Sequence, residues 1–150
     1  MARLLSIVFV SLILTACLPS EWRTVTNPDA AKRADLVERG WLSEVLAENA
    51  DRLIVTYQID ANQAFVRAVF SPANFAAFNA ATIPAEQSVA AALANEHPPV
   101  GLEGWDEVTL QARLRTGTLP VRRPRDGSTW RYASTERGDL WAWYVPDVID

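Results

Sequence analysis

LIVTYQIDANQAFVRAVF, residues 53–70, is the stretch that decides the fold. Leu53, Val55, Tyr57 and Ile59 alternate with Ile54, Thr56, Gln58 and Asp60, the period of two expected of a strand with one buried face. A second β-rich run follows after Ala61 and Asn62 and ends at Phe70, so the two segments predict a hairpin. Asp60 and Asn62 make the turn, because their short side chains bond nearby backbone and tolerate left-handed geometry.

Toward the N-terminus, Asn27, Pro28 and Asp29 predict a helix start, with Asn27 as cap and Pro28 at the first helical position. Gly40 predicts the stop. Between them Ala30, Ala34, Val37 and Trp41 share a face, expected to be the buried one. Asp29 with Arg33 and Asp35 with Arg39 are acid-before-base pairs on the wetter side.

Toward the C-terminus, Ser71 and Pro72 open a short predicted helix bearing Phe75 and Phe78. Pro84 starts another, which runs through an alanine tract to about Asn95 and is ended by Pro98 and Pro99. Val108, Leu110, Ala112 and Leu114 alternate with Thr109, Gln111, Arg113 and Arg115, which reads as a strand. A Pro- and Arg-rich loop leads to STWRYAS, a turn around TERGD and LWAWYV, a second predicted hairpin. The expectation is one small α+β domain, an antiparallel sheet of about five strands with helices packed on one face.

The first residues, MARLLSIVFVSLILTAC, carry one positive charge at Arg3, an apolar stretch, and small residues before a cysteine. Leu14, Thr15 and Ala16 before Cys17 match the recognition pattern of a lipoprotein signal peptidase. Residues 1–16 are therefore expected to be removed as a signal peptide, leaving Cys17 acylated. The apolar stretch from Leu4 to Ala16 is 13 residues, too short for the roughly 20 that a membrane span needs. Residues 17–26 are then a lipidated tether, with EWRTVT a candidate strand within it, and residues 27–150 the domain. Leu18, rather than an acid, follows the cysteine, which in a cell with two membranes favours the outer one, facing the periplasm.

Cys17 is the sole cysteine, so lipidation leaves none for a disulfide, and stability must come from packing around six Trp, five Phe and three Tyr. Charge is uneven. Residues 17–107 hold 6 basic and 13 acidic side chains, while residues 108–150 hold 7 and 5. An exported location excludes nucleic acid as the natural partner of the basic end.

Arg39, Gly40, Trp41, Leu42, Leu46, Ala50, Asp60, Asn62, Phe65 and Arg67 fit, without gaps, a pattern that resembles a group of small bacterial exported proteins and lipoproteins related to YbbD. The chain departs from that pattern at Ser43 and Ala47, where proline is expected, at Tyr57, where histidine is, and at Ala61, where threonine is. The resemblance spans about 30 residues and implies a shared fold, with no activity to carry over.

The chemistry-bearing residues are sparse. His97 has no second histidine or free cysteine to join it on a metal, and reads as a surface or capping residue. Asp106 and Glu107 are adjacent, so their carboxylates point apart and read as a solvated corner rather than an acid/base pair. Trp141 and Trp143 share a strand face, a stacking platform for sugars if open and core if closed. Arg113, Arg115, Arg122, Arg123 and Arg125 form the densest basic run, a solvated face or a contact for anionic lipid, glycan or an acidic protein. No nucleotide, metal or nucleophile motif is present, and no cofactor is expected. The expected class is a non-enzymatic envelope lipoprotein that binds a protein partner, as an accessory or an inhibitor or immunity-type factor. The alternative is a module for glycan or anionic headgroups.

Overall fold

The computed structural model describes residues 21–144. The expected signal peptide and Cys17 lie outside that range. In chain order the elements are β1 (Arg23–Thr26), α1 (Ala30–Glu38), α2 (Glu44–Asn49), β2 (Arg52–Gln58), β3 (Gln63–Val69), α3 (Pro72–Ala81), β4 (Thr82–Pro84), α4 (Gln87–Leu93), α5 (Glu107–Arg115), β5 (Val121–Pro124), β6 (Trp130–Ser134) and β7 (Asp139–Tyr144).

The seven strands form one sheet in the order β1-β2-β3-β7-β6-β5-β4, and every neighbouring pair is antiparallel. The α+β class is as expected, with seven strands in place of about five. The 53–70 hairpin pairs Arg52 with Val69 through to Gln58 with Gln63. Asn62 turns it at φ 49°, the left-handed conformation its side chain tolerates.

Helices cover both faces of the sheet, where one was expected. On the first face Leu36 of α1, Leu46 of α2 and Phe78 of α3 pack on Leu53, Val55, Val66, Leu140 and Ala142. On the second, Val89 and Leu93 of α4 and Leu110 and Leu114 of α5 pack with Phe65, Val121, Ala133 and Trp143. The central strands are therefore buried on both sides, and β6 is buried at all five positions.

The second layer exists because residues 107–115 are a helix, not the expected strand. Asp106 caps it, its Oδ1 accepting the Thr109 N–H at 3.2 Å. Leu110 and Leu114, four apart, face inward, while Val108 is 79% exposed. Arg113 and Arg115 lie in the last turn, where cations complement the helix dipole.

Other boundaries shift for similar local reasons. The cap of α1 is Asp29, which accepts the Lys32 N–H at 2.8 Å, so Pro28 precedes the cap. Asn27, at φ 46°, instead extends the β1–β2 pairing by exchanging bonds with Leu53 of 2.7 and 3.1 Å. Gly40, at φ 77°, ends α1 as expected: Gly40 N–H bonds the Val37 carbonyl and Trp41 N–H the Leu36 carbonyl. Pro84 closes β4 rather than opening a helix, and α4 starts after Glu86. Residues 23–26, assigned to the tether, pair with β2 as a sheet strand, and Trp22 just before them rests on Phe65 with ring centroids 5.6 Å apart.

Candidate functional site

The five arginines of the basic run do not form one patch. Arg122 donates from Nε to Thr82 Oγ1 at 2.8 Å and from Nη2 to the Asn79 and Thr82 carbonyls, both at 3.0 Å. Arg125 Nε donates to the Ala80 carbonyl at 2.9 Å. These two side chains thus neutralise the carbonyl end of α3, and burial lowers the Arg122 pKa from its ordinary value. Arg123 lies on β5 opposite Ile83. Arg113 and Arg115 belong to α5, with Arg115 donating to the Ala94 carbonyl at 3.1 Å. Rather than forming one solvated face, Arg115, Arg122 and Arg125 tie helix ends down.

The other sequence candidates resolve individually. His97 is 74% exposed, with Nδ1 2.6 Å from Glu107 Oε1, and Glu107 also accepts from Gln111. Asp106 is occupied as a cap, and the Thr109 hydroxyl and N–H hold its carboxyl below the usual range. Trp143 is core, packed edge-on to Trp105 at 5.2 Å, whereas half-buried Trp141 donates its Nε1–H to the Gly104 carbonyl at 3.1 Å. The residues shared with the YbbD-like pattern serve the scaffold. Trp41, Leu42, Leu46 and Ala50 are buried, and Trp41 stacks on Tyr57 at 5.2 Å.

Arg67, also in that pattern, is a largely buried charge held from several sides. Its guanidinium meets Asp139 at 2.5 Å, donates to the Ala68 and Leu140 carbonyls, and lies 4.6 Å over the Trp141 ring. Gly104 sits directly on it: a Cβ there would lie 3.2 Å from Arg67 Nε. Beside this stack a cleft of about 380 Å³ runs along the second face past Thr26, Arg52, Ile54 and Glu103. Its charges balance, and the Arg67 Nε is buried without a hydrogen-bond partner among the described residues.

The larger concavity, about 720 Å³, lies between α1 and α2. Pro28, Ala30, Ala34, Val37 and Ala47 line it with apolar surface, and Asp29, Glu38, Glu44 and Glu48 are its acids. Arg33, the one base in the lining, donates to the Pro28, Ala47 and Ala50 carbonyls at 2.9–3.0 Å, pinning α2 to α1. Ala30, Ala34 and Val37 belong to the stripe expected to face the core. Instead Leu36 faces the core, Ala30 and Ala34 are exposed, and Val37 is half-buried. The stripe is legible in the sequence, and its Val37 and Trp41 meet the core as expected while Ala30 and Ala34 do not; the groove was not foreseen.

Among the described residues, no helix is long and apolar enough to cross a membrane, and no three His, Cys, Asp or Glu side chains are placed to hold a metal. Comparison with known proteins gave no match among family models, curated proteins or solved structures.

Proposed function

We propose that this is a lipid-anchored, non-enzymatic protein of the bacterial envelope that binds a protein partner through the groove between α1 and α2. The observation that supports the binding role is the apolar stripe of Ala30, Ala34 and Val37, which follows helical spacing yet borders an open groove of about 720 Å³. Amphipathic helices bury such stripes, and one left open in a folded domain fits a site filled by another chain. The anchoring role rests on the leader and Cys17, with the outer membrane facing the periplasm as the expected location. A glycan or anionic-headgroup role draws less support, since Trp143 is core and Arg122 and Arg125 are committed to α3.

A photo-crosslinking side chain at Ala34, in the native host, tests this reading against the same group at exposed Ala73 on α3. A discrete adduct from position 34 alone is expected. Equal adducts from both positions, or none from position 34, would refute the groove as the site.

A further inference from the structure

From the chemistry of the groove, and resting on the reading that a protein docks there, we infer that its occupant is an amphipathic helix with a basic polar face. Shape argues first. Ala30, Ala34 and Val37 sit at spacings of four and three along α1, and Ala47 of α2 faces them across the groove. Small side chains on both walls leave room for a third helix to approach at ordinary interhelical distance, about 8–10 Å. The occupant then presents apolar residues at matching i, i+3, i+4 positions.

Charge argues second. Glu38 stands on the α1 side and Glu44 and Glu48 on the α2 side, and none of the three forms an ion pair among the described residues. Glu44 and Glu48 are also four apart on one short helix, a like-charge spacing that weakens α2 in the free protein. Lys32 and Arg39, the nearest bases on α1 apart from Arg33, are held by Asp35 at 2.8 and 2.6 Å. Arg33 is fixed by three carbonyls deep in the lining. The rim therefore offers carboxylates to an incoming chain and repels an acidic one. Lysines or arginines flanking the apolar ridge of the partner relieve the Glu44–Glu48 repulsion and meet Glu38 on the opposite side.

The test uses the full chain in phosphatidylcholine nanodiscs, with empty nanodiscs as reference, and two fluorescent helical peptides. Both carry the same Ala/Leu face; one has a Lys/Arg polar face and the other a Glu polar face. The basic peptide is expected to bind, to weaken about tenfold between 0.1 and 1 M salt as the screening length falls from about 10 to 3 Å, and to be displaced by nothing acidic. Glu38→Lys with Glu44→Lys and Glu48→Lys should reverse the preference, and Ala34→Trp should abolish binding of either peptide with the melting temperature retained. Equal binding of the two peptides, or a preference that the triple reversal leaves unchanged, overturns the charge inference while leaving the groove as the site. Binding unaffected by Ala34→Trp overturns the groove reading as well. Failure of the basic peptide alongside a retained Ala34 crosslink shows a partner of other chemistry, and concentration-dependent self-association lost in Ala34→Trp shows that the occupant is a second copy; either result overturns the inference.

Discussion

Two alanine substitutions at turn glycines separate backbone strain from steric overlap in this fold. Gly138 and Gly127 have nearly the same left-handed φ, 85° and 78°. Replacing either with alanine costs about 1 kcal/mol for placing a Cβ in that conformation. At Gly127 the new Cβ meets nothing within 4 Å, so the cost ends there. At Gly138 it would lie 2.7 Å from the Phe70 carbonyl oxygen, a separation real Cβ atoms do not show. Relief requires moving the β6–β7 turn away from the end of β3, which strains the 3.0 Å bond from Phe70 N–H to the Gly138 carbonyl. Overlap adds about 1–3 kcal/mol and the weakened bond about 1 kcal/mol. Gly138→Ala should thus cost about 3–5 kcal/mol. For a domain of this size 1 kcal/mol is about 3–5 °C. Thermal melts should show a drop of about 3–5 °C for Gly127→Ala and about 9–25 °C for Gly138→Ala. Equal drops would refute the close approach of turn and strand.

Asn62→Val should destabilise by about 1–2 kcal/mol, because a β-branched residue resists positive φ, while Asn62→Gly should be close to neutral; urea titration checks both. Acid should also destabilise the fold. The Ser71 N–H and Asn74 hold the Asp51 carboxyl below its ordinary value, and Lys32 and then Arg39 do the same for Asp35. A depressed folded-state pKa gives stability that is present above the unfolded value near 4 and lost as pH falls through the folded one. Melting temperature should therefore decline below about pH 4, and Asp51→Asn should flatten that decline; an identical profile in the variant would remove Asp51 from the explanation. Cys17→Ser should abolish acylation and signal cleavage, read by intact mass and by fractionation. Recovery of that variant in the membrane fraction at the mature mass would overturn the lipoprotein assignment.

The elements legible from sequence were those with local grammar. The hairpin through Asn62 carries strand alternation and a residue its turn conformation tolerates, and the β6–β7 hairpin carries two β-rich runs about a turn that holds Gly138. Residues 107–115 misled because Val108, Leu110, Ala112 and Leu114 satisfy a period of two and, through Leu110 and Leu114, a spacing of four as well. What decides between them is the Asp106 cap and the face of α4 that receives the two leucines, and only the first is local. β4 is three residues ending in proline and exists because β5 lies beside it. Of the candidate surfaces, the Ala30–Val37 stripe was readable but the outward direction of its two alanines was not. Leu36 and Val37 seat α1 on the core, and only Ala30 and Ala34 are left facing outward. The density of arginine was equally plain, yet the carbonyls that receive Arg122 lie 40 and 43 residues away in the chain.

The position of β7 has a consequence in time. It is the last described strand to leave the ribosome, yet it lies between β3 and β6 and is the only strand bonded to both halves of the sheet. Until residues 139–144 arrive, β1-β2-β3 and β4-β5-β6 are separate ribbons, each with an unsealed edge facing the place where β7 belongs. At about 5–20 residues per second, synthesis keeps the first strand waiting roughly 6–25 s for its sheet to close. On the proposed export of this chain as a thread that delay is useful, because the two ribbons cannot close into one sheet before β7 arrives.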